Sequence, residues 1–354
     1  VTGATVYMTT DFAKPKAMLW KPWVKGIEQT AIITLASPTG GAPLISGFGD
    51  IAGFVHEDLA VSPSHMFSNP YLSNTNNIDY AGRNPAIIVR SGSLHSNRSR
   101  DATLGWSQDG GHSWRPLRVP PMAAKPGEAE RRYDLEGNAP IVTSADGTTF
   151  IVATPLVMLT RDRGKTWLVP EGLGRDIRPV ADKVDPKRFY GVDVEQDRLL
   201  TSRDGGLTFA PVAGQGLPAD LAGARMVGRE QPASLVASPF AAGDLWLRVG
   251  FELYHSTNGG VSFERVNGAL SVRLFGLGKP APGSDVATLF AIGVLGGKEG
   301  IWRSTDHGHS WQRINDDSHQ WGLRFRVIAG DPRTFGRVYV GTDGRGLLYG
   351  DPGR

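Results

Sequence analysis

Apolar residues in this chain come in short runs broken by glycine- and proline-rich stretches, with no sustained helical period. Pro85 to Val89 is one such run. Gly336-Arg337-Val338-Tyr339-Val340 and Leu347-Leu348-Tyr349 flank a Gly-rich turn and read as two strands of a hairpin. Short apolar runs bounded by turn residues predict β-strands. The 46 Gly and 24 Pro, with 40% hydrophobic and 21% charged residues, point the same way and favour an all-β class.

One polar pattern punctuates these runs. Ser/Thr-x-Asp-x-Gly-x-Ser/Thr-Trp/Phe recurs five times, starting at Ser107, Thr160, Ser202, Ser256 and Ser304. The starts lie 53, 42, 54 and 48 residues apart. Periods of this size mark a radial or linear array of one supersecondary unit; four short strands with their turns fill about 45 positions, as in a propeller blade. A single β-propeller of about seven blades over residues 1–354 is the expected architecture. Two blades are expected before the first box, and Thr9-Thr10-Asp11-Phe12 reads as a degenerate box start. The C-terminal hairpin is expected to close the ring against a strand at Ala4 to Thr9, because an unclosed blade leaves bare sheet edges.

The octapeptide, an Asp-box, is turn chemistry. Its Gly supplies a positive φ, its carboxylate accepts hydrogen bonds from turn amides, and its closing aromatic packs between blades. Asp109, Asp162, Asp204 and Asp306 are therefore read as structural. Asn258 in the fourth box agrees, since either short polar side chain holds the turn but only a carboxyl group does acid–base work.

Charge and composition narrow the partners. The 38 basic and 35 acidic residues are spread along the chain without a Lys/Arg run, so nucleic acid is not an expected partner. No apolar stretch approaches the roughly 20 residues that span a bilayer, and the first residues lack the charged-then-apolar pattern of a signal peptide. No membrane partner is expected, and the chain reads as soluble. The absence of Cys excludes disulfides, thiolate catalysis and Cys-ligated zinc. The eight His residues form no metal-ligand motif, and no nucleophile elbow or phosphate loop occurs. The pairs Glu57-Asp58 and Asp316-Asp317 lack the spaced oxygens of a calcium loop. No metal and no cofactor are expected.

If the boxes are scaffold, chemistry belongs where the repeat is broken. The least regular part is residues 20 to 90, where an apolar strand from Leu44 runs into Gly49-Asp50-Ile51-Ala52-Gly53 and then an acidic, His-containing turn. Asp50 is either an ordinary turn residue or a functional acid; at the end of an apolar strand a carboxyl is partly desolvated, which raises its pKa toward a general acid's range. Flat aromatic residues outside the core are the other candidates, as platforms for a ligand. Trp321, in a polar loop with His319 and Gln320, is the best platform, and Trp20 and Trp23 lie near the irregular segment, as does His56. Trp106, Trp114, Trp167, Trp246, Trp302 and Trp311 read as core.

The run Gly49-Asp50-Ile51-Ala52-Gly53-Phe54-Val55-His56-Glu57-Asp58-Leu59 resembles a pattern of glycoside hydrolase family 74, with Glu57 where an Asp is usual. Gly26 to Ala31, Ile314 to Gly322, and Gly330-Asp331-Pro332-Arg333 onward to Gly350-Asp351 are similar to the same family, in order along the chain. The resemblance implies the second, C-terminal propeller of a secreted two-propeller enzyme. That family cleaves the β-1,4-glucan backbone of xyloglucan with inversion, using one Asp from each propeller across an open cleft. It implies Asp50 as general acid, a general base on an N-terminal propeller, and a chain inactive without that partner. Trp321, His319, Gln320, His56, Trp20 and Trp23 are then the candidate substrate contacts. Two rivals remain: a non-catalytic propeller binding glycan or protein, and a sialidase, which the absence of any Arg before Arg83 disfavours.

Overall fold

A computed structural model of the chain describes residues 6–14, 16–23, 29–94, 102–120, 139–153, 156–224, 233–266 and 268–352. Every sheet is antiparallel and meanders in sequence order. Seven of them form the blades of a β-propeller: blade 1 spans 32–56, blade 2 74–117, blade 3 141–160, blade 4 179–212, blade 5 233–265, blade 6 271–313 and blade 7 325–350. The first strand of each blade packs on the first strand of the next from blade 6 through 7 and 1 to 5, and the third strand of blade 5 meets the first of blade 6. That ring of first strands is the inside of the propeller.

The apolar faces of neighbouring blades supply the core. Between blades 2 and 3, Val89, Leu104 and Trp106 pack against Ile141, Phe150 and Val152, all fully or nearly fully buried. The same sandwiching recurs between blades 5 and 6, where Trp246 and Leu253 meet Val272 and Leu289. Strand faces that are covered on both sides read as continuous apolar runs, which is why Phe150–Ala153 and Leu245–Val249 are wholly buried.

Two sequence expectations change. The ring closes on Ile32–Ala36, not on Ala4 to Thr9: an isolated bridge joins Ala31 to Asp343, and Gly344 and Gly346 donate to the Thr30 carbonyl at 3.2 and 3.1 Å. The reason is packing, since Ile32 is completely buried and a Cβ at Gly341 would stand 2.6 Å from its side chain. Residues 4 and 5 lie outside the described residues. Tyr7–Met8 instead pairs with Lys21–Pro22 in a small exposed hairpin, whose turn has Asp11 donating its amide to Thr9 Oγ1 at 3.1 Å. Second, only blade 1 precedes the first boxed blade. Each box follows the third strand of its own blade, so the strands upstream of Ser107 back to Asn74 belong with that box. Blades 2 to 6 carry boxes; blades 1 and 7 carry none.

The box geometry is common to all five. In the first, Ser107 Oγ donates to Asp109 Oδ1 at 2.7 Å while accepting the Gly111 amide at 2.9 Å, and the Ser113 amide donates to Asp109 Oδ1 at 2.9 Å. Asn258 keeps the frame by reversing one bond: its Nδ2 donates to Ser262 Oγ at 2.8 Å, where an aspartate accepts from that hydroxyl. Trp114, Phe209 and Phe263 close their boxes from buried positions. Trp106, Trp246 and Trp302 are likewise core.

Candidate active site

Strand reversal sorts the connections of each blade onto two faces. The turn after the second strand and the passage into the next blade share one face; the turns after the first and third strands share the other. The boxes therefore lie on one face and Asp50, in the turn between Leu44–Phe48 and Gly53–His56, on the opposite one.

That turn is unusual in its backbone. Asp50 has φ 69° and Ala52 φ 56°, both in the left-handed region that favours glycine. Four amides hold it. Phe48 donates to the Ala52 carbonyl at 2.9 Å, Gly49 to Ala31 at 3.0 Å and Ala52 to Ser73 at 3.0 Å, while the Asp50 amide donates to Asn74 Oδ1 at 2.7 Å. The Asp50 side chain is exposed, and among the described residues its carboxylate takes no hydrogen bond. The desolvation expected from the sequence is thus not supplied by this chain.

The contrast with the box aspartates is direct. Hydrogen bonds from the Thr166 hydroxyl and amide hold the Asp162 carboxyl down to about 2. At Asp204 and Asp306, partial burial pushes the carboxyl up but hydrogen bonds from Thr208 and Ser310 outweigh it, and both also lie at about 2. Those carboxylates are fully engaged in their own turns, and none stands on the face of Asp50.

Backbone bonds link the Asp50 turn to the Trp321 loop. Ala31, which accepts the Gly49 amide, bridges to Asp343 at the tip of blade 7. Asp343 in turn donates its amide to the Arg324 carbonyl at 2.7 Å, and its carboxylate meets Arg326 at 3.3 Å. The loop carrying residues 314–324 is the passage from blade 6 into blade 7, so it opens on the same face. Trp321 is half-buried at φ 44°, with its ring edge-on to Phe325 at 6.3 Å and 5.7 Å from the His319 ring. His319 is exposed with Nδ1 2.7 Å from Asp316 Oδ1, and Gln320 lies 3.4 Å from both Asn315 and Asp317. Asp317 pairs with Arg313 at 2.6 Å.

The remaining candidates are elsewhere. His56 pairs with Leu44 at the far end of the hairpin from Asp50, with Nε2 2.7 Å from Ser46 Oγ; burial lowers it to about 4, so the ring is neutral at neutral pH. The chain emerges there on the box face, where Glu57 meets His112 of the first box at 2.8 Å. Trp20 and Trp23 stand exposed beside and on the small hairpin of Tyr7–Met8 and Lys21–Pro22. Among the described residues no group of three or more His, Asp or Glu is placed to hold a metal ion, and no helix is long and apolar enough to cross a membrane. Sequence reading missed Asn74, whose amide group meets the Asp50 turn from 24 residues away, and Arg326 beside Asp343.

No family model matches the chain. It is 36% identical over 363 residues to a xyloglucanase of a Paenibacillus species, covering 99% of this chain and 33% of that protein. It is 35% identical over 378 residues to an oligoxyloglucan-reducing end-specific xyloglucanase of Emericella nidulans, covering 99% of this chain and 45% of that protein. Its fold superimposes on the crystal structure of the GH74 xyloglucanase from Xanthomonas campestris with a TM-score of 0.82 at 32% identity, over 100% of this chain and 48% of that one. The chain therefore spans between a third and a half of the length of these relatives. Along its whole length the chain is similar in sequence and in fold to one part of these xyloglucanases, the solved one a GH74 enzyme.

Proposed function

We propose that this chain is a single propeller module supplying the general-acid half of a xyloglucan-hydrolysing cleft, with Asp50 as the acid. The observation that carries the reading is Asp50 itself: a carboxylate on a rigid, left-handed turn, exposed and unengaged, where the box carboxylates are saturated by their own turns.

In this reading an inverting step runs between two propellers. Asp50 gives its proton to the glycosidic oxygen as the bond from C1 to that oxygen breaks. A carboxylate on a facing N-terminal propeller takes a proton from the water that forms the new C1–O bond on the opposite side of the sugar. The two carboxyls then stand roughly 6.5–9.5 Å apart. The facing propeller also supplies the desolvation that the chain alone does not give Asp50. Trp321, His319 and Gln320 on the same face, and the exposed rings of Trp20 and Trp23, are the proposed sugar contacts. His56, hydrogen-bonded to Ser46 away from that face, shapes the hairpin instead. A polymeric substrate fits an extracellular setting.

The test is hydrolysis of tamarind-type xyloglucan by the chain alone and by the chain joined to a relative's N-terminal propeller. The chain alone binds without turnover; the joined protein hydrolyses, and D50N lowers kcat by about 10²–10⁴-fold. Full activity of D50N in the joined protein would sink the proposal. A non-catalytic glycan-binding role is the outcome if no joined protein turns over while glycan binding persists.

A further inference from the structure

The Asp50 turn is held on three sides, and the donors and acceptors are of two kinds. The Phe48, Gly49 and Ala52 amides go to backbone carbonyls of Ala52, Ala31 and Ser73, which any sequence at those positions provides. The Asp50 amide alone goes to a side chain, Asn74 Oδ1 at 2.7 Å. Asn74 begins the first strand of blade 2, so this bond crosses from one blade to the next. The acceptor is itself oriented. Asn74 Nδ2 donates to Ser93 Oγ at 3.1 Å, which turns Oδ1 toward Asp50. Ser93 is fixed in its turn, since its carbonyl accepts both the amide and the hydroxyl of Ser73 at 2.9 and 2.8 Å. The Asn74 backbone pairs with Ser93 and bridges to Ala52, so the side chain swings from a rigid base.

A non-glycine residue in the left-handed region costs about 1–3 kcal/mol and persists only where the surroundings over-determine it. Here two such residues stand in one turn, Asp50 itself and Ala52, and the backbone of Asp50 is pinned by Asn74. We propose that Asn74 is the positioning residue for Asp50: it fixes the left-handed backbone from which the acid projects and touches no substrate. This rests on the reading of Asp50 as general acid. Misplacement of a catalytic group by about 1 Å costs on the order of 100-fold, and the loss falls on the chemical step.

Two measurements test it. In the full chain, amide hydrogen exchange compares Asp50 with Ala52, whose acceptor is the backbone carbonyl of Ser73. N74A speeds exchange at Asp50 by at least about tenfold relative to Ala52, and N74D, which keeps an acceptor oxygen, restores most of the protection. In the two-propeller protein, N74A lowers kcat by about 10- to 100-fold with KM within about twofold, and N74D recovers most of that loss. Unchanged Asp50 exchange in N74A, a loss carried by KM, or N74D as impaired as N74A would each overturn the assignment. D50N separates the two layers: an active D50N removes the general-acid reading, whereas an inactive D50N beside a fully active N74A removes the positioning role alone.

Discussion

Lys183 and Asp79 make a buried ion pair that staples three blades, and breaking it from one side has a calculable cost. Asp79 lies on the first strand of blade 2, and its Oδ2 accepts the amide of Thr143 in blade 3 at 2.9 Å. Its Oδ1 meets the ammonium of Lys183, which follows the first strand of blade 4 and also donates to the Tyr80 carbonyl at 3.0 Å. The two side chains are 11% and 14% exposed, and the contact is so close that a Cβ on Gly82 would sit 2.0 Å from the Lys183 carbonyl oxygen. K183M leaves the carboxylate buried with one donor. Removing one partner of such a pair costs about 3–5 kcal/mol; slight solvent access puts K183M near the lower end, about 3 kcal/mol. For a chain of this size that is a fall in Tm of about 4 °C. D79N retains an acceptor for Thr143 without the charge, so K183M with D79N recovers about half the loss or more. Denaturant unfolding of both single variants and the double variant gives the coupling. A K183M loss under about 0.5 kcal/mol, or strict additivity in the double variant, would refute the stapling argument.

Two further predictions concern pH. Asp162, Asp204 and Asp306 titrate at about 2 in the folded chain against 3.8 for the free group, so their contribution is complete above about 4 and lost as pH falls through about 2. N258D adds a carboxylate to the fourth box: its stability at pH 7 stays within about 1 kcal/mol of the parent, and its loss between pH 4 and 2 is steeper; a larger loss at pH 7, read from denaturant midpoints, would contradict the box geometry. His56 is lowered from 6.5 to about 4 by burial, so the stability it contributes is complete above 6.5 and declines as pH falls toward 4. H56Q flattens the pH dependence of Tm across that window; an unchanged slope would show that His56 is not the group responsible.

What was legible in the sequence was local. The hydroxyl and carboxylate side chains of a box close their bonds within eight residues, so Ser107 to Trp114 states its own turn, and five copies state the repeat. Asp50 was legible because glycines surround it and because the run through Leu59 resembles a known family. Asn74 was not: the bond it makes spans 24 positions, and Ser73-Asn74-Thr75-Asn76-Asn77 offers nothing to separate one amide from the next. His56 shares with Asp50 the run that carries the resemblance, but Gly53–His56 is a strand that takes the chain from one face to the other. A second repeat also went unseen. Asp182 accepts the Tyr190 hydroxyl at 2.9 Å and Asp331 the Tyr339 hydroxyl at 2.6 Å, each pair eight residues apart and each aspartate also capping the two amides that follow its turn. Those residues are buried where blade turns meet the core, and two copies in blades 4 and 7 set no period to be noticed.

The two faces of the ring differ in how their carboxylates are used. On the box face, the third strands of blades 2, 3, 4 and 6 end in turns whose aspartate accepts from a hydroxyl and from amides of its own octapeptide, and Asn258 in blade 5 shows that the frame needs the hydrogen bonds and not the charge. Asp162, Asp204 and Asp306, held at about 2, stay ionised at neutral pH and have no proton to give. On the other face, the connections between blades vary in length, and the turn of blade 1 spends its amides on its neighbours while leaving the Asp50 carboxylate unengaged. A carboxylate placed that way contributes little to folding, and under the proposed function it is free for what it meets across the cleft. In the proposed positioning role, Asn74 on the adjoining blade supplies its rigidity through the Asp50 amide.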